Sequence, residues 1–251
     1  MRLTHDERWG ASPTPRRRKD RPAQGNLAEV VTWGGRRKGA GRKPPPGRPN
    51  VRHLQRPAHA RGVPAQITLR RAKGLPSLRT GVLHALLKRS IAETRREDFR
   101  IVHYSVQHDH VHLIVEADDQ KALSTGMRSF AIRASKRVNR DGLRRKRGAV
   151  WGDRYHRRDL PSPTEVRYSL VYVLANGVKH GVVERGTIDP CTSGPWFEGW
   201  VTPLVAPIEP RPTEPPSTWL LRDGWSDVHP GFLFPSEAPK AAARPVAQPS
   251  P

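Results

Sequence analysis

The spacing of apolar residues predicts an ordered middle region in which strands and helices follow one another. Strictly alternating or continuous apolar runs are typical of strands, whereas apolar residues that recur every three or four positions are typical of helices with one buried face. In chain order the pattern predicts a strand over 66–70, a helix over 79–96, strands over 99–106 and 110–116, a helix over 118–140, a strand that ends near 160 and a helix over 161–180.

This order of elements predicts an α+β fold. The β-α-β-β-α-β order is that of the ferredoxin-like fold, also called RRM-like, in which an antiparallel sheet has its helices on one face. A C-terminal helix follows, and we assign residues 63–182 to this domain. The flanks are rich in proline and glycine. We therefore predict a disordered basic arm over 1–62 and a mostly disordered extension over 183–251. The aromatic residues at 189–200 are expected to pack onto the domain, with stacking on bases as the alternative.

The charge balance points to a polyanionic partner. The chain has 45 Lys and Arg residues against 23 Asp and Glu residues, a net charge of +22, which favours nucleic acid. The single cysteine, Cys191, excludes an intramolecular disulfide and a cysteine-based zinc site. We find no signal peptide and no apolar run long enough to span a membrane. We therefore expect a cytoplasmic, nucleoid-associated protein without a membrane partner.

The chemistry is expected around the sequence His110-Val111-His112 in the third strand. Two residues separated by one position share a face of an extended strand, so both imidazoles lie side by side. Such a pair supplies half of a metal site, and two structural histidines are the alternative.

The third helix places a tyrosine away from its apolar face. With Leu170 at the centre of the buried side, Val166 and Val173 fall within about 60° of it at 100° per residue. Tyr172 and Asn176 fall on the other side. The tyrosine is therefore an exposed ring, a packing contact for the extension, or a chemical group.

Cations follow the second helix, the loop after it and the segment that leads to the last strand. We predict that they contact DNA, with a solvated basic surface as the alternative. The predicted DNA-binding residues are Arg128, Arg133, Lys136, Arg137, Arg144, Arg145, Lys146, Arg147 and Arg154.

Taken together, three motifs resemble a known family. They are His110-Val111-His112, the segment 150–155 (VWGDRY) and the segment 172–178 (YVLANGV). In this order they resemble the single-tyrosine HUH transposases, and within them the REP-associated tyrosine transposases of the insertion-sequence transposase superfamily. The resemblance extends from about residue 63 to 181. Two positions depart from the family pattern, since Asp109 stands where Asn often precedes the pair and Gly177 where Pro often follows Asn176.

The resemblance implies a function and assigns roles. His110 and His112 match the pair that binds Mg²⁺ or Mn²⁺, Asn176 matches a third polar ligand, and Tyr172 matches the nucleophile. The implied activity is cleavage and transfer of single-stranded DNA at hairpin-containing element ends through a 5′-phosphotyrosine, in DNA transposition. The alternatives are a replication initiator or relaxase, and an idle, domesticated DNA-binding protein. The family includes dimers and monomers, so a homodimer stays open.

Overall fold

The computed structural model describes residues 57–141, 148–205, 207–227 and 233–237. Most of the predicted basic arm and four predicted DNA-binding residues (144–147) lie outside these ranges. Within them, no helix is long and apolar enough to cross a membrane.

Four strands and three long helices form the domain in the predicted order. They are β1 (Ala65–Arg70), α1 (Gly81–Ala92), β2 (Phe99–Val106), β3 (His110–Ala117), α2 (Gln120–Arg140), β4 (His156–Asp159) and α3 (Pro163–Leu174). Two caps fix the helix starts, because the Asp119 side chain accepts from the N–H of Ala122 and the Ser162 side chain accepts from the N–H of Glu165.

The sheet has the order β2-β3-β1-β4, and all its pairings are antiparallel. This is the ferredoxin-like order, so the predicted fold class is confirmed. β3 is central, and its eight residues are all buried. A bulge in β2 between Ile101 and His103 shifts the register by one residue. As a result His103 and Ser105 lie on the same face as Ile114 and His112.

The two faces of β3 serve two different cores. Val111, Leu113 and Val115 pack with α1 and α2. Ile114 packs on the other face with apolar residues of α3, including Leu170. The alternation of a strand therefore assigns His110 and His112 to the α3 face.

The third helix, predicted to run to about residue 180, is interrupted after Leu174. α3 stops at Leu174, and a short helix α4 (Asn176–Lys179) follows. A Cβ on Gly177 would lie 2.3 Å from Asp189 Oδ2, so only glycine fits this close approach. Asp189 is itself fixed by Arg79, which donates two hydrogen bonds of 2.8 Å to its carboxylate. The extension thus packs closely against the segment that follows the tyrosine helix.

The extension is packed on the domain over more of its length than the predicted packing of the aromatic residues at 189–200. Backbone bonds join Val106 N to Cys191 O, Ser193 N to Tyr104 O, and Glu214 N to Ile101 O, so the open edge of β2 is covered. Its buried apolar residues complete the core on the α3 face: Phe197, Trp200, Leu221, Trp225 and Leu233. These few aromatic residues are widely spaced among prolines, and their local composition resembles that of a disordered tail.

Glu116 fastens the extension to β3. Its buried carboxylate accepts hydrogen bonds of 2.7–2.9 Å from the backbone and hydroxyl groups of both Ser217 and Thr218.

We expect Glu116→Gln to lower the free energy of unfolding by about 2–3 kcal/mol, because bonds to a charged acceptor are replaced by weaker ones and one amide proton faces a donor. Urea unfolding measures the loss, and hydrogen exchange at 217–227 should rise. Glu184→Gln, at an exposed position, is the control, and equal stability of the two variants would contradict the assignment.

The stability of the fold should depend on the protonation of His103. Burial lowers the pKa of His103 to about 3, against about 6.5 in the unfolded chain. Because the unfolded state binds the proton more readily, stability falls as pH drops below about 6.5. Between pH 7 and pH 5 we expect the His103 equilibrium to lower the free energy of unfolding by up to about 2 kcal/mol. The His103→Asn variant should not show this part of the decrease. Urea midpoints at the two pH values test this, and parallel losses in both proteins would refute it.

Candidate active site

His110 and His112 lie next to each other on the α3 face of β3. Their ring centroids are 4.5 Å apart, with the planes at 78°. In the sheet register His112 stands between Thr68 of β1 and Ser105 of β2. Only 4% of His112 is exposed, so the pair sits at the floor of the face.

Each histidine is oriented by a neighbouring side chain. Thr68 Oγ1 lies 2.9 Å from His112 Nδ1, and Asp109 Oδ1 lies 2.6 Å from His110 Nδ1. The Nε2 atom of His112 is buried without a hydrogen-bond partner among the described residues. A ring held through one nitrogen with the other left open is typical of metal-binding histidines.

The electrostatics keep the pair available as ligands. Burial, together with the nearby His110 and His180, lowers the pKa of His112 to about 3, so the ring is neutral near pH 7. Burial alone would raise the pKa of Asp109, but the hydrogen bond with His110 lowers it overall. The carboxylate is therefore ionised and accepts from His110 Nδ1, which leaves the lone pair on Nε2. His108, in contrast, contacts Ser77, with 2.8 Å between its Nδ1 and the hydroxyl.

Tyr172 reaches the pair from α3. Its ring centroid lies 5.1 Å from that of His112, at an interplanar angle of 76°. Val166, Leu170 and Val173 are fully buried, so α3 buries the predicted face. Asn176 was predicted to lie on the other side, but it follows the end of α3 and is fully buried as well. Lys179 Nζ lies 4.7 Å from the centroid of the Tyr172 ring, which puts a cation beside the phenol.

Asn176 is fully buried at the start of α4. Its amide oxygen and nitrogen are both buried without a hydrogen-bond partner among the described residues. A buried amide with neither atom satisfied costs several kcal/mol by general estimates, so such a group calls for a ligand. In the described ranges no three His, Cys, Asp or Glu side chains are grouped to hold a metal.

His180 was missed by the sequence analysis. Its ring centroid lies 5.3 Å from that of His110, and burial together with the charge of His110 lowers its pKa. The only sequence signal was that His180 follows Tyr172 by eight residues. This spacing indicates a position near the histidine pair only when the helix is known to break at Ala175.

A cleft of about 290 Å³ opens beside the pair. It lies between β1, β4 and α3, and the sequence analysis did not predict it. It is lined by Gln66, Thr68, His112, His156, Arg158, Tyr168, Ser169 and Tyr172.

The predicted DNA-binding cations of α2 lie on the other side of the sheet. Arg128 and Lys136 line a groove of about 540 Å³ with Trp151, and Arg133 lines an adjoining one. Arg137 is mostly buried and donates to Ser90 and Glu93. Arg154 is exposed before β4.

The structure combines a ferredoxin-like sheet with a histidine pair that contacts a tyrosine on α3. Residues 76–162 match the family model described as "Transposase IS200 like". The predicted resemblance is thereby confirmed, since this segment is similar to the IS200-like transposases. It contains His110 and His112 and ends before Tyr172.

One similar solved structure is described as "Structure of the REP associates tyrosine transposase bound to a REP hairpin". The two chains share 20% sequence identity over 54% of this chain and 78% of the other, with a TM-score of 0.45. A comparison with curated proteins gave no significant match.

Proposed function

We propose that this chain is a metal-dependent single-stranded DNA endonuclease and strand transferase that acts in transposition. The observation that carries the proposal is the contact between the rings of Tyr172 and His112 at the edge of an open cleft. A nucleophile and a pair of metal ligands have to meet at one phosphate for this chemistry. The match to IS200-like transposases over 76–162 supports the same reaction class.

His110, His112 and Asn176 would hold the divalent cation. The unpartnered Nε2 of His112 and the unpartnered amide of Asn176 fit this role. Imidazoles by themselves favour softer ions, so the assignment of Mg²⁺ or Mn²⁺ rests on the resemblance. When bound, the cation supplies Lewis-acid polarisation of the phosphate oxygens.

In the proposed first step the deprotonated Oη of Tyr172 attacks the phosphorus of a phosphodiester. The bond from phosphorus to the 3′-oxygen breaks, and the 3′-oxygen takes up a proton and leaves as a hydroxyl. The DNA is then joined to Tyr172 through its 5′-phosphate. A 3′-hydroxyl of another strand can displace the tyrosine and restore a phosphodiester, so strand transfer requires no ATP. Lys179 offsets negative charge that develops beside the phenol.

The substrate is proposed to be single-stranded DNA with hairpins, as the resemblance implies. The grooves beside Arg128, Arg133 and Lys136 suit a phosphate backbone because they concentrate cations on one helix. Arg137 contributes less, since Glu93 already pairs with it.

Tyr172→Phe should abolish a covalent protein–DNA adduct. The wild-type chain is incubated with Mn²⁺ and end-labelled single strands that carry hairpins from the flanks of its own gene, then separated on denaturing gels. We expect a metal-dependent adduct that is lost in EDTA and in Tyr172→Phe, because only the phenol oxygen can form the ester. Tyr168→Phe, one turn earlier on the same helix, is the matched control and should keep the adduct. Tight binding without any adduct would favour the idle DNA-binding protein.

Thr68→Val should weaken Mn²⁺ binding about 10-fold, with 100-fold as the upper range for partners that orient a ligand. The substitution keeps the shape but removes the hydroxyl that fixes His112. The free Mn²⁺ signal in electron paramagnetic resonance measures the affinity, and His112→Ala should lose the site. Ser169→Ala is the control, because its hydroxyl bonds to Gln66 in the same cleft. Equal Mn²⁺ affinities of the wild type and Thr68→Val would show that the Thr68 hydroxyl does not contribute to the metal site.

A further inference from the structure

Tyr168 is an unpartnered aromatic ring on the wall of the active-site cleft. It is 65% exposed and makes no hydrogen bond or ring contact with another described residue. It precedes Tyr172 by four positions, about 6 Å along the helix axis. Both rings line the same cleft. Packing does not account for Tyr168, since the buried side of α3 is formed by other residues.

The opposite wall carries a cation and an imidazole. His156 and Arg158 alternate with more buried residues of β4, so their side chains share one face. His156 pairs in register with Thr68, which in turn contacts His112. Arg158 is 61% exposed in its side chain and has one hydrogen bond of 3.3 Å to Glu165. A guanidinium has five donors, so Arg158 can also bind a phosphate.

An exposed aromatic ring opposite positive groups is the composition of single-strand nucleic-acid sites. Bases stack on the ring irrespective of their identity, and the cations contact the backbone. The cleft volume of about 290 Å³ lies at the lower end of small-ligand pockets, which suits one nucleotide better than a duplex.

We propose that this cleft binds the nucleotide next to the scissile phosphate, with its base stacked on Tyr168 and its backbone held by Arg158 and His156. The inference rests on the proposed function, because it takes Tyr172 as the position of the scissile phosphate. It adds a binding subsite that fixes the strand before attack, and Tyr168 acts there as a positioning residue through its ring.

The test measures strand binding without cleavage, in the Tyr172→Phe background. The probe is the oligonucleotide that forms the adduct in the wild type, with 2-aminopurine placed in turn at each position near the mapped cleavage point. We expect the strongest fluorescence change next to that point. Adding Tyr168→Ala should remove this change and raise Kd about 5- to 150-fold, the range of one lost stacking contact. Tyr168→Phe should restore both, because it keeps the ring.

An abasic site at the same position provides the second arm. The abasic site should weaken binding to protein that contains Tyr168. It should cause no further loss in Tyr168→Ala, because the two changes remove the same contact between base and ring. Phe234→Ala is the matched control, since Phe234 is an exposed ring that does not line the cleft.

Three results would overturn the inference: an unchanged Kd for Tyr168→Ala, additive losses from the two changes, or an adduct on Tyr168 in Tyr172→Phe. Adduct formation by the wild type with unchanged binding of Tyr168→Ala would overturn this inference alone. Absence of both binding and adduct would overturn the proposed function as well.

Discussion

The alternation of side chains along β3 is the constraint on which the rest of the molecule depends. The strand is central and covered on both sides, so each residue is committed to one of two cores. Val111 and Leu113 anchor it to α1 and α2, and a slip by one residue would exchange these with His110 and His112. The free energy of apolar burial on one face therefore fixes the position of the imidazoles on the other.

The α3 face is completed by parts of the chain that are far apart in sequence. Glu116 lies on it four residues after His112 and binds the extension at Ser217 and Thr218. Just after the tyrosine helix, Gly177 lies in close approach to Asp189 of the extension. A segment remote from the chemistry thus helps to determine where the tyrosine and the buried amide of Asn176 stand.

Local periodicity was enough to predict the fold but not the whole site. The β2 bounds, the paired histidines and the outward turn of Tyr172 follow from periods of 2 and 3.6 residues, which are properties of neighbouring positions. The cleft residues His156 and Tyr168 come together through the β1–β4 register, which no local pattern contains. The packing of the extension after residue 202 escaped prediction for a related reason. Its aromatic residues gain burial only against a sheet formed elsewhere in the chain, so their own neighbourhood resembles a disordered tail.

The sheet separates two surfaces of different chemistry. Cations of α2 line grooves on one side, whereas the histidine pair and Tyr172 lie on the other. A DNA strand in contact with both sides has to pass an edge of the sheet. The β2 edge is covered by the extension, but β4 is an edge strand whose exposed side chains are His156 and Arg158. Arg158 therefore places a cation at the β4 edge, and under the proposed function this edge is the favourable route for a phosphate backbone between the two surfaces.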